Sequence, residues 1–245
     1  AAERGQLLLH YQPKVSAADG RLGGFEALLR WQHPELGMVS PGQFIPLAEE
    51  SGLIVPIGQW VLEEACRQQR AWLDAGFDVP PLAVNLSAHQ LAQPDIVATV
   101  AAAIERHHLA PGLIELELTE TMLMRDVDRT IRTLVRLREM GVRLSIDDFG
   151  TGYSSLNYLR QFPVNALKID RSFVGDIGSD GAEGKIAAAI VGMAHSLGLE
   201  AIAEGVETEA QRAFLQMHGC HQLQGYLIAR PAHAREIERF LDRHS

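Results

Sequence analysis

A chain of 245 residues that is 47% hydrophobic can bury one sizeable core, and a charged fraction of 22% is ordinary for a globular protein. The formal charge of −9 argues against a polymeric nucleic-acid partner, which calls for a basic surface, but admits a small phosphate ligand where a cation offsets the acidity. Two cysteines, Cys66 and Cys220, argue against a disulfide framework or a thiolate zinc site and fit a reducing cytoplasm, and no apolar run reaches the roughly 18 residues of a membrane span.

The chain enters helix-like sequence at Ala1 without an initiating Met or a signal-peptide pattern. The expectation is a single domain over 1–245, excised from a longer protein whose other parts could include a membrane anchor. Strands are predicted at Leu7 to Val15, Leu22 to Trp31, Leu82 to Leu86, Leu113 to Leu118, Val142 to Ile146, Ala166 to Ile169, Glu200 to Ala203 and Gln224 to Ile228. Helices are predicted at Val55 to Ala75, Leu91 to His107, Asp126 to Met140, Glu183 to Leu197, Thr208 to His218 and Ala232 to Arg243. In the fourth of these, Ile186, Ile190, Met193 and Leu197 read as a core-facing stripe. Asp176 to Gly184 reads as a polar loop and Pro80-Pro81 as a turn. Strands alternating with helices point to parallel β-α units, either a closed α/β barrel or an open doubly wound sheet.

The ends of the apolar runs carry polar residues. Asn85 closes "LAVN", Glu115, Glu117 and Glu120 punctuate "LIELELTE", Asp147 and Asp148 close "VRLSIDD", and Lys168 and Asp170 lie in "ALKID". Glu204 and Glu207 follow "EAIA", the last run opens with Gln224 in "LQGY", and Glu26 interrupts "GFEALLR". In a β/α barrel the strand ends converge on one mouth, so Glu26, Asn85, Glu117, Asp147, Asp148 and Glu204 would meet there. So many carboxylates need a counter-charge, and an all-oxygen set without clustered His or Cys favours magnesium or manganese. Adjacent aspartates could flank a pair of ions, the arrangement for in-line displacement at phosphorus. Lys168 is the one cation of the set, suited to hold the attacking water or balance charge. Any one acid has a simpler reading: Asp148 as the cap of a helix near Tyr153, Asn85 or Ser87 as a cap, Glu26 facing solvent. The ten scattered histidines lack ligand spacing, and Gly150-Thr151-Gly152 is not a nucleotide P-loop.

"EALLRW" from Glu26, "FIPLAEESGLI" from Phe44, "VNLS" from Val84 and "ELTE" from Glu117 resemble the EAL-domain family. So do "DDFGTGYSSLNYLRQFPVNALKID" from Asp147, "IAEGVET" from Ile202 and "QGYLIARP" from Gln224, and together these motifs cover nearly the whole chain. The resemblance implies a modified TIM (β/α)8 barrel with one antiparallel strand. It also implies a metal-dependent phosphodiesterase that opens cyclic-di-GMP to linear 5′-pGpG in bacterial signalling.

By the same resemblance, Glu26, Asn85, Glu117 and Asp147 would ligate a first Mg²⁺ or Mn²⁺. Asp147 and Asp148 would serve a second, with Ca²⁺ inhibitory. Lys168 would position the water, and Glu204 would act as general base and reach the second ion. Gln12, Leu28, Arg30 and Gln224 would contact substrate. Glu120 would anchor the loop after Asp148, with Glu207 behind the site. The resemblance further implies a homodimer and flanking sensory or GGDEF-type domains. His221 and Asn165 depart from the family's frequent Asp, both away from the ligand positions. The alternative is a catalytically silent cyclic-di-GMP receptor, against which the complete acid set argues.

Overall fold

The computed structural model describes residues 4–151, 156–177 and 184–241. Strands β1 (Leu7–Ser16), β2 (Leu22–His33), β3 (Gly37–Val39), β4 (Leu82–Asn85) and β5 (Ile114–Thr119) are followed by β6 (Arg143–Phe149), β7 (Ala166–Ile169), β8 (Glu200–Ala203) and β9 (Gln222–Leu223). They hydrogen-bond in the order β1-β9-β8-β7-β6-β5-β4-β2-β3, and a further β1–β2 pairing closes the sheet into a barrel with β3 outside it. β1 is antiparallel to both neighbours, β2 and β9, whereas β2 runs parallel to β4. The cause is local: residues 17–21 are too short for a parallel crossover, so β1 and β2 form a hairpin.

The helices are α1 (Pro41–Glu50), α2 (Ile54–Asp74), α3 (Ala88–Leu91), α4 (Ile96–Arg106), α5 (Glu120–Leu123) and α6 (Val127–Glu139). They continue with α7 (Leu156–Leu159), α8 (Arg171–Gly175), α9 (Lys185–Ser196), α10 (Glu209–Met217) and α11 (Ala234–Leu241). The principal apolar core lies between these helices and the strands, with Trp72 of α2 fully buried against Tyr11 and Phe25. Among the described residues no helix is long and apolar enough to cross a membrane.

Four expectations are corrected. Of the helix predicted over 91–107, Leu91 ends the short α3 and only Ile96–Arg106 forms α4, because Pro94 lacks the N–H to continue the ladder and disfavours helix at Gln93. Ser87 begins the first of them with a capping box to Gln90. The last strand is Gln222–Leu223, not Gln224 to Ile228: Gln224 still donates its N–H to Ala203 O, but the chain then turns at Gly225. A Cβ there would stand 2.1 Å from Val206 O, so only glycine allows that approach. On α9 the buried side is Ala187, Ile190, Val191 and Ala194, while Ile186 is half exposed at 51%, so the stripe is turned by one residue. Finally, β3 and α1 fill a stretch left without structure in the sequence reading; Pro41 starts α1 in the first turn, where a missing N–H costs nothing.

The interior of the barrel is polar. Lys14, Glu26, Glu115, Glu117, Ser145 and Lys168 are all buried, where β/α barrels ordinarily stack branched apolar side chains.

Candidate active site

Lys168 is fully buried at 0% exposure, on β7. Its Nζ lies 2.6 Å from Glu117 Oε2, 2.5 Å from Glu204 Oε1, 3.3 Å from Asp147 Oδ1 and 3.7 Å from Glu26 Oε2. Four carboxylates from β2, β5, β6 and the end of β8 thus share one ammonium. Glu26 is not solvent-facing: its Oε1 accepts from Asn85 Nδ2 at 2.7 Å and its Oε2 from Gln224 Nε2 at 2.6 Å. Gln224 also donates to Gln12 Oε1 at 3.0 Å, and Gln12 donates to Ala229 O at 3.0 Å.

Charge is unevenly spread. Burial works against the Lys168 ammonium, but Asp147, Glu117, Glu204 and Glu26 outweigh it and raise its pKa well above the usual lysine value. Burial pushes Glu117 well up, reinforced by Glu26 and Asp147. Burial likewise lifts Glu204 to about 8, with Lys168 opposing and Asp147 and Glu26 assisting. Glu26 ends below the usual range: burial raises it, but Lys168 and the bonds from Gln224 and Asn85 outweigh burial. One ammonium cannot hold four ionised carboxylates, so the cluster retains protons until more positive charge arrives.

Asp147 and Asp148 are separated by backbone geometry. The β6–β7 register shifts between Ile146 and Phe149, and Asp148 adopts φ +53°, a left-handed conformation that Asp tolerates better than most residues. Its N–H donates to Asp147 Oδ1 at 2.9 Å. Asp147 turns into the acid cluster, its Oδ1 3.3 Å from Lys168 Nζ, while Asp148 is exposed. Asp148 faces a lobe of about 560 Å³ with Leu28, Arg30 and Asn85, whereas Asp147 faces one of about 240 Å³ with Gln12, Glu26, Glu204, Glu207 and Gln224. Leu28 lines both lobes. Arg30 is half-buried, and burial lowers its pKa from the usual arginine value. Asp148 is raised, first by burial, then by Asp147 and by Asp170, which interacts with it directly.

Asp148 gives no sign of being a simple helix cap in the described residues; the helix start proposed near Tyr153 lies outside them. The loop that follows is held at its root. Glu120, buried at the start of α5, accepts the Gly150 N–H through Oε2 at 2.9 Å. Gly150 has φ +97°, and a Cβ there would come within 2.8 Å of the Phe173 ring. The two departures have structural roles: Asn165 Oδ1 accepts the Leu144 N–H, and His221 Nδ1 accepts the Ala201 N–H.

Residues 1–231 match the EAL domain family. The chain belongs to that family. Its EAL domain is 54% identical over 237 residues to the bifunctional diguanylate cyclase/cyclic di-GMP phosphodiesterase MucR of Pseudomonas aeruginosa, covering 97% of this chain and 35% of that protein. It is 41% identical over 244 residues to the cyclic di-GMP phosphodiesterase PdeR of Escherichia coli, covering all of this chain and 37% of that one. The chain therefore spans about a third of the length of these curated relatives. The solved structure of the MucR phosphodiesterase in complex with c-di-GMP superposes with a TM-score of 0.93 at 54% identity, covering 97% of this chain and 96% of that one.

The sequence reading of this EAL domain missed three residues that its geometry brings in. Asp170 faces Asp148; its place at a strand end was visible, but its partner was not. Lys14 and Glu115 form a second ion pair beneath Glu117, so Lys168 is not the only buried cation near the acids. Lys14 lies on the antiparallel strand, so a scan for polar residues at strand C-termini passes it by. The oxygen donors suit a hard divalent cation by chemistry. Among the described residues, however, no group of three His, Cys, Asp or Glu side chains stands at metal-holding spacing, the carboxylates converging instead on Lys168 Nζ.

Proposed function

We propose that the domain hydrolyses one phosphodiester of cyclic-di-GMP to give linear 5′-pGpG, using two Mg²⁺ or Mn²⁺ ions. The observation that carries this reading is the convergence of Glu26, Glu117, Asp147 and Glu204 on one buried ammonium, with Glu26, Asp147 and Glu204 also lining an open lobe. Glu26, Asn85, Glu117 and Asp147 would hold one ion; Asp147, Asp148 and Asp170 would hold the other, with Glu204 within reach. When bound, such ions offset phosphate charge and bring the pKa of an attacking water towards neutrality.

The chain's own residues supply the rest. Lys168 carries three donors and a charge kept positive by its neighbours, so it can orient the water and stabilise negative charge building on phosphorus. Glu204, 2.5 Å from Lys168 Nζ, is placed to take the proton that the water loses once added positive charge has returned it to the carboxylate form. Arg30 can grip a phosphate with its forked donors on the larger lobe's wall. Gln12, Leu28, Gln224 and Glu207 line the smaller lobe. Glu120 keeps the root of the 150–155 loop beside Asp148 through Gly150. Similarity to MucR and PdeR, whose names record cyclic di-GMP phosphodiesterases, supports the substrate.

The test is incubation of the purified chain with cyclic-di-GMP in Mg²⁺ or Mn²⁺, with and without EDTA, and chromatography of the products. The expected result is pGpG that disappears with EDTA and diminishes when Ca²⁺ competes. Full-rate pGpG formation in EDTA would refute the cation mechanism, and tight binding without turnover in Mn²⁺ would make the domain a receptor.

A further inference from the structure

Below the acid cluster lies a second charged layer. Lys14 on β1 is 2% exposed, and its Nζ stands 3.0 Å from Glu115 Oε1 and 3.4 Å from Glu117 Oε1. Glu117 Oε2 is the oxygen that meets Lys168. One carboxylate is therefore gripped by two ammonium groups, one on each oxygen. Lys14 is anchored in turn. Glu115 accepts from Ser145 Oγ at 3.0 Å and lies 3.3 Å from Arg143 Nε. Burial raises its carboxyl, yet Lys14, Arg143 and Ser145 outweigh burial and hold it at about 2, so it stays ionised.

The space for Lys14 is built into the hairpin. Its cross-strand partner is Gly24, where an added Cβ would come 3.0 Å from Lys14 Cε and 3.2 Å from Pro81 O. The glycine leaves the lysine stem a channel across the barrel towards β5.

We propose that Lys14 is a positioning residue of the site: by holding Glu117 Oε1 it fixes the orientation of that carboxylate and leaves Oε2 as the oxygen offered to Lys168 and to a cation. This rests on the cation reading above. Electrostatics alone predicts the opposite sign, since removing a nearby positive charge favours binding of another cation. Orientation and charge can be separated because Lys14 and Glu115 form a pair. The double variant K14M/E115Q removes one charge of each sign and takes away the donor to Glu117 Oε1, while Arg143 keeps its pairing with Glu200.

The measurement is calorimetric titration of the 245-residue chain with Mn²⁺, without nucleotide, alongside thermal unfolding in EDTA. K14M/E115Q is expected to bind Mn²⁺ about 10- to 100-fold more weakly than wild type, the usual effect of losing a partner that orients a ligand. E115Q alone, which leaves Lys14 on Glu117, is expected to keep the wild-type affinity. A double variant that unfolds cooperatively and binds Mn²⁺ like wild type overturns the proposal alone. A wild-type chain that binds no Mn²⁺ removes the cation reading and the proposal with it. Should the double variant not fold, K14M alone decides: loss of its positive charge would by itself strengthen cation binding, so weakening of tenfold or more supports Lys14 as a positioning residue, and unchanged or tighter binding overturns it.

Discussion

Replacing Lys168 by Met is the most direct probe of the site, because it removes the one ammonium shared by Glu26, Glu117, Asp147 and Glu204 and keeps most of the side-chain volume. At the observed separations of 2.5 to 3.7 Å, each contact is worth about 5 kcal/mol of raw attraction at an effective dielectric near 20. Most of that is offset by the cost of drying the charges, and breaking a buried ion pair from one side typically costs about 3–5 kcal/mol. For a chain of this size that corresponds to a fall in Tm of about 6–20 °C. The assay is thermal unfolding by circular dichroism at pH 8 in EDTA, then in saturating Mn²⁺. Wild type and K168M should differ widely in EDTA and much less in Mn²⁺, because a bound cation stabilises the folded state by mass action and takes over the counter-charge. Cleavage should remain at least about 100-fold down in both conditions, as for loss of a donor aimed at developing charge. Equal melting temperatures in EDTA, or equal gains from Mn²⁺, would show that Lys168 is not what balances the acids.

Further outcomes follow from other residues. Glu204 has its folded pKa raised from 4.5 to about 8. The folded state therefore holds a proton that the unfolded state releases, and the associated stability, complete below pH 4.5, is lost as pH rises through about 8. Cation-free wild type should lose stability relative to E204Q over that window in urea titrations; parallel curves would contradict it. Gly150→Ala combines φ +97° with a Cβ 2.8 Å from Phe173, so a loss of about 1–3 kcal/mol in denaturant midpoints is expected, with lower turnover. A variant as stable as wild type would refute the need for glycine there. Arg30→Lys keeps the charge but loses the fork, so KM for the cyclic dinucleotide should rise by about tenfold or more with the fold intact; an unchanged KM would remove Arg30 from phosphate binding.

Much of the barrel could be read from the alternation of apolar runs with helical periodicity, and much of the site from acids placed where those runs end. Glu26, Asn85, Glu117, Asp147 and Glu204 were legible because a carboxylate or amide inside or just after an apolar strand has few cheap explanations once several recur. The direction of β1 is a property of pairing, and it follows from a link too short to cross over; periodicity alone does not carry it. Lys14 and Glu115 stayed hidden for the same reason, since their partnership crosses strands a hundred residues apart in sequence. The division of Leu91 to His107 was available in Pro94 and was overridden by the apolar pattern on either side. Ile186 shows the limit of spacing: a four-residue stripe fits two rotations of one helix, and only packing against the barrel chooses between them.

The left-handed turn at Asp148 also limits what can stand at that position for reasons that have nothing to do with charge. At φ +53° a β-branched or bulky side chain is strained, whereas Asn and Asp tolerate the conformation. Asp148→Asn therefore removes the carboxylate and keeps the turn, whereas Asp148→Val would disturb both, so only the first isolates what the charge contributes.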